Sequence, residues 1–191
     1  MDGNKIDKNS LERLAVNGDL LLAIGQPVEI KLMVTSATLD TACDVFKALL
    51  GTNFAEGQIN RSSTAPQLIS LPEDGADVMR QMCSLLHGKP VRELEHAVSI
   101  QTFEFAVVVD NYGCAEYLRL QSQGLLLGWR EVSDDPTFES MCNIVTAAFL
   151  LCHEQAFAWA TKRLIMDYTE KYSKLLNEES GQRLPYALLR K

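Results

Sequence analysis

The hydrophobic period of this chain changes once near its start, at Ser36, and that change limits the folds open to it. Upstream, LLLAIG (20–25), the turn Gln26-Pro27 and VEIKLMV (28–34) predict the two strands of a hairpin. Val28, Ile30, Leu32 and Val34 share one face with Glu29 and Lys31 opposite, and Met33 is the exception on the polar face. Downstream, Leu39, Cys43, Phe46 and Leu50 are spaced by four, three and four residues, one continuous helical stripe. Gly51 stops it. A chain that pairs two strands and then turns helical buries its apolar faces by packing helices on a small sheet.

The rest of the pattern extends this order. SLERLAVN (10–17) predicts a short helix capped by Ser10, with Gly18 at its stop. GQINRSSTAP (57–66) is a loop, and PQLISLP (66–72) a short strand ended by proline. Asp74 then caps a helix carrying Val78, Met82, Leu85 and Leu86, closed by His87-Gly88-Lys89-Pro90. From about Ser99 to Tyr112 the pattern alone fits strand or helix. Its length and the following NYGCAEYLRL favour two consecutive helices broken near Gly113. Residues 121–136, with Gly124, Gly128, Trp129 and Pro136, read as a looser connection. Two more helices follow, separated near His153-Glu154, and the tail breaks at Gly181 and restarts after Pro185. The expected class is α+β: a small sheet with a cluster of helices, followed by a helical C-terminal extension.

Charge and composition exclude several functions. The 191 residues carry a net charge of −7 with no cluster of Lys or Arg, which argues against nucleic acid, whose phosphates need a basic patch. No apolar run approaches the roughly 20 residues that cross a bilayer, and the polar MDGNKIDKNS at the N-terminus lacks a signal peptide's apolar core. The expectation is a soluble intracellular protein, cytoplasmic or nuclear, with no membrane partner. Five cysteines, widely spaced and without a CxxC pair, then read as reduced thiols that pack as small hydrophobes.

Catalytic tools are scarce. HEQAF (153–157) begins like a zinc-protease helix, but Phe157 stands where the second His is needed. Cys142, Cys152, His153 and Glu154 are the residues on which a metal-binding or hydrolytic alternative rests, and their spacing matches no paired-ligand pattern. GxGxxG, GxxxxGK[ST] and GxSxG are all absent. Met79 and Met82 with Leu85 and Leu86 fit core packing at helical spacing. The reading is therefore a non-enzyme without metal or cofactor.

The run GDLLLAIG … VEIKLMVTSATLDTACDVFKALLGTNFAEG … ISLPEDGADVMRQMCSLLHGK … AVVVDNYGCAEYL resembles the BTB/POZ domain, and more narrowly the BTB-type proteins of filamentous fungi. The helix-pair signature of that family is matched by Ala106, Asp110, Tyr112 and Leu118. Cys43-Asp44 stands where the family has Ser-Pro. The resemblance covers about residues 18–127, leaving 1–17 as an N-terminal segment and 128–191 as the helical extension. It implies a protein–protein interaction module with protein partners, acting by self-association as a homodimer or as an adaptor. Adaptors of the family recruit a cullin-type ubiquitin ligase scaffold through a hydrophobic-x-Glu motif after the helix ending VF-x-A-[ML], a position held here by Phe54-Ala55-Glu56. Many members of the family form homodimers through the N-terminal helix, first strand and first long helix, and the candidates the resemblance implies here are Leu11, Leu14, Leu20 and Leu22. A purely structural homodimerisation domain is the alternative within the same family.

Overall fold

The computed structural model describes residues 10–27, 29–95, 97–132 and 136–168. Val28 of the expected strand and the tail that restarts after Pro185 lie outside the described residues. The chain divides into two compact units, one holding residues up to Pro90 together with Tyr112–Tyr117, the other holding Val91–Asn111 and the residues from Leu118 on.

The first unit is built on a sheet of four strands, β1 (Ser10–Arg13), β2 (Leu20–Ile24), β3 (Ile30–Val34) and β4 (Gln67–Leu71), in the order β1-β3-β2-β4. The β2–β3 pair is antiparallel, as the hairpin reading expects, and its register sets Leu22 opposite Leu32. β4 joins β2 in parallel, which requires the crossover that the intervening helices supply. Period two sends Leu20, Leu22, Ile24, Ile30, Leu32 and Val34 to one face, and each is 0–1% exposed.

α1 (Ser36–Ala42) packs on α2 (Asp44–Leu49) and α3 (Ala76–Leu86), and α3 packs on β3. The expected stripe Leu39, Cys43, Phe46, Leu50 is buried throughout, but the helix that carries it is two helices. Cys43 is extended (φ −130°, ψ 118°) and serves both as the end of α1 and the start of α2. Met79 and Met82 of α3 are fully buried, in keeping with core packing. α3 stops at His87, and Gly88 takes the left-handed conformation (φ +67°) usual just beyond a helix end.

Two expectations for this unit are corrected. Residues 10–13 form an edge strand parallel to β3, not the first turn of a helix, and Leu14 and Ala15 continue by donating to the Met33 carbonyl. A segment this short has little helix stability of its own, whereas the open edge of β3 offers it a ladder. Asp74 does not cap α3: the N-cap is Gly75, without a side-chain bond, and the Asp74 carboxylate instead accepts from the Tyr112 hydroxyl at 2.8 Å.

The second unit is helical, with α4 (Ser99–Asn111), α5 (Arg119–Val132), α6 (Phe138–Leu150) and α7 (Glu154–Asp167). The ambiguous segment from Ser99 is helix, and it buries Thr102, Phe105, Ala106 and Val109 at helical spacing. The looser connection expected over 121–136 is corrected, because α5 runs unbroken to Val132 and carries the 127/128 boundary within it. Leu125, Leu126 and Trp129 are buried along that helix, enough apolar contact to offset the helix cost of Gly124 and Gly128. α6 is capped by Thr137, whose Oγ1 accepts from Ser140 N. No helix among the described residues is long and apolar enough to cross a membrane.

Candidate functional site

The segment after α2 is a tight, internally bonded turn, although its composition suggests a slack loop. Leu50 closes the helix by donating to the Phe46 carbonyl at 2.8 Å, and Gly51 donates to Ala48. Phe54 N then donates to Gly51 O, and Gly57 N donates back to Phe54 O at 3.1 Å, opening a one-turn 3-10 segment over Glu56–Gln58. The Gln58 side chain reaches Thr52 O, and Arg61 reaches Leu50 O. A side chain on Gly57 would collide with the Gly51 carbonyl, so this closure needs glycine at 57.

The turn holds Phe54 outward. Phe54 is 49% exposed, and Glu56, two residues on, is half-buried. Phe46 and Leu50 fill the core beneath the helix end, at 0% and 6% exposure, so the place of a core anchor is already taken. Ile59 is also exposed, which a sequence reading passed over although an isolated Ile in the polar run GQINRSS is visible there. The product is an apolar side chain with a carboxylate two residues on, both carried by one internally bonded turn.

Behind α2 lies a brace that the sequence did not reveal. Cys43 is disulfide-bonded to Cys114, 71 residues away in the chain, so the expectation of five reduced thiols is corrected for this pair. Spacing gave no sign of it, because the pairing depends on where the chain returns after α4. Beside it the Phe46 and Tyr112 rings stack at 5.0 Å, and Val45 N donates to Tyr112 O. Gly113 has a left-handed backbone (φ +67°), and a Cβ there would lie 3.0 Å from Asp44 Cβ. Burial, then the hydrogen bond to Asp74, pushes the Tyr112 phenol well above its ordinary range, so it stays a donor.

Electrostatic pins hold the start of α1. Thr35, its N-cap, makes no side-chain cap. Asp19 does that work from the residue before β2, accepting from Ser36 N at 2.7 Å and Ser36 Oγ at 2.6 Å. Burial raises the Asp19 carboxyl, but the Ser36 hydrogen bonds outweigh it and leave it below its usual range. His87 Nε2 accepts from Thr35 N at 3.0 Å while Nδ1 lies 2.8 Å from the Cys83 carbonyl, an arrangement that the neutral ring satisfies with its proton on Nδ1.

The four residues considered for self-association separate clearly. Leu14, just past β1, is buried, and Leu20 and Leu22 are completely so because the pleat of β2 turns them to the core. Leu11 pairs with Lys31 in the β1–β3 register, on the opposite face of the sheet, and is 46% exposed. Only Leu11 offers side-chain surface to another molecule.

The residues of the metal or hydrolytic alternative do not converge. Cys142 is buried within α6, and Cys152 is exposed in a left-handed conformation (φ 54°) at the α6–α7 corner. His153 is the N-cap of α7, its Nδ1 accepting from Ala156 N. Among the described residues no group of three or more His, Cys, Asp or Glu side chains is arranged to hold a metal ion. Neither a protein-family model nor a curated protein matches this chain.

Proposed function

We propose that this chain is a non-catalytic protein-interaction module of the BTB/POZ type, which binds a cullin-type scaffold through Phe54 and Glu56. The observation that carries the reading is the half-exposed Phe54 ring, held outward on a turn whose closure requires Gly57, with Glu56 in the same turn. A rigid aromatic side chain gives large apolar contact at small entropic cost, and a neighbouring carboxylate adds orientation and charge complementarity. The order of elements, an edge strand, a strand hairpin, paired helices, a parallel fourth strand and then helices, supports the family assignment.

A calorimetric titration with a purified cullin scaffold tests it. Phe54→Ala is expected to weaken binding by about tenfold or more, the loss usual for a central aromatic anchor. Glu56→Lys is expected to weaken it further than Glu56→Gln. Binding that is absent, or indifferent to both positions, overturns the adaptor reading.

Self-association is the second reading, favoured by Leu11 on β1. That strand lies at the edge of the sheet with one side unpaired among the described residues. Sedimentation of wild type against Leu11→Asp separates a dimer through this edge from a monomeric adaptor.

A further inference from the structure

We infer that the Cys43–Cys114 bond is a redox latch that holds the Phe54-bearing turn in shape, and that reduction loosens this turn while leaving the sheet intact. The inference rests on the reading of that turn as a binding site for its biological meaning, though not for its physical content.

α2 has six residues, fewer than two turns, and a helix so short has no stability of its own in water. Its shape therefore comes from what it touches. The Phe46–Tyr112 stack, the Val45–Tyr112 backbone bond and the close approach of Asp44 to Gly113 all fall on two residues next to Cys114. The disulfide keeps those contacts in register by tying Cys43, the first residue before α2, to the residue that follows them. At its other end α2 passes through Leu50 and Gly51 directly into the turn that presents Phe54. The covalent tie thus acts on the support at the start of the helix that leads into the turn. The sheet differs, since β2 is laddered to β3 on one side and β4 on the other and neither cysteine lies in a strand.

The chemistry is a two-electron exchange. A dithiol reductant supplies two electrons and two protons, the sulfur–sulfur bond breaks, Cys43 and Cys114 become thiols, and the reductant closes to its own disulfide. Oxidation by a small-molecule disulfide reverses the step. Both cysteines are buried, at 1% and 0% exposure, so exchange requires the α2 end to open, the same motion that the bond restrains. The third cysteine of this unit does not compete: Cys83 is buried, and its thiol is pushed up to about 12, which keeps it protonated and unreactive.

Two measurements on the full chain test the latch. Alkylated with N-ethylmaleimide in denaturant, the air-oxidised chain is expected to take three labels, on Cys83, Cys142 and Cys152, and all five cysteines after dithiothreitol. Hydrogen exchange of the native chain is then compared with and without dithiothreitol. The amides of Lys47, Leu50, Phe54 and Gly57 are expected to exchange about tenfold faster when reduced, with β2 and β3 unchanged. The Cys43→Ser chain is expected to match the reduced wild type and to ignore dithiothreitol; should it fail to fold, the wild-type comparison decides alone. Five labels before reduction, equal exchange in both states, or acceleration spread evenly over sheet and turn would each overturn the latch. None of these readouts involves a cullin scaffold, so failure of the binding titration and failure of the latch are told apart.

Discussion

Phe54 in the sheet unit and Phe149 in the helical unit are each 49% exposed, yet the chain treats them differently. Phe149 lies near the end of α6, and its ring meets Phe157 of α7 at 5.9 Å. That half-exposed ring has a partner from its own unit, and the pair closes the corner at Cys152-His153. Phe54 has no ring partner among the described residues, and a glycine-closed turn holds it outward. Equal exposure therefore does not mean equal function. What distinguishes the two is whether the ring contributes to its own fold or is supported by a backbone that would keep its shape without it.

Substitution can break that comparison, and a fully buried ring sets its upper limit. Phe46→Ala removes a side chain with 0% exposure that stacks on Tyr112, and denaturant unfolding is expected to show a loss of about 3–5 kcal/mol. The Thr35–His87 bond comes next, at about 1 kcal/mol for one hydrogen bond. Burial first, and then Lys89, hold the His87 ring below its ordinary value of 6.5. Folded His87 thus stays neutral where the unfolded chain takes up a proton. Its contribution is fully present above pH 6.5 and declines as pH falls through the lower folded value. Stability measured across this range should fall on acidification, and His87→Gln should flatten the slope. The direct comparison has the smallest effect: Phe149→Ala is expected to cost about 1 kcal/mol through its lost ring pair, and Phe54→Ala under about 0.5 kcal/mol, as for a surface change. A Phe54→Ala loss equal to or above that of Phe149→Ala would make Phe54 a structural residue and remove the contrast.

The fold was legible where one period dominated. The β2–β3 hairpin, the buried stripe from Leu39 to Leu50, α3 with its His87-Gly88 stop and the α6–α7 break near His153 all follow from local spacing. Reading failed where tertiary contact overruled local preference. Ser10–Arg13 became a strand because β3 had a free edge, and the glycines of α5 were carried by the burial of Leu125, Leu126 and Trp129. The candidate site divides the same way. Phe54 and Glu56 stood out as an apolar–acidic pair after a helix stop, but the brace behind them joins residues as far apart as Asp74 and Tyr112, or Cys43 and Cys114. Of the four leucines considered for self-association, Leu20 and Leu22 sit in the all-apolar run LLLAI, and only their pairing with Val34 and Leu32 placed them inside, while Leu11 needed the register with Lys31 to be placed outside.

By itself, then, the sequence determined which faces of its strands and helices are apolar, and that Phe54 follows the end of a helix. Both are local consequences of spacing, because side chains alternate along a strand and recur every three to four residues on a helix. Only the tertiary structure decided that α2 begins at an extended Cys43, that Cys114 returns to meet it, and that Gly57 closes against Gly51 to aim Phe54 at solvent. Those features depend on distances between segments far apart in the chain, and no local pattern encodes where a chain returns after α4.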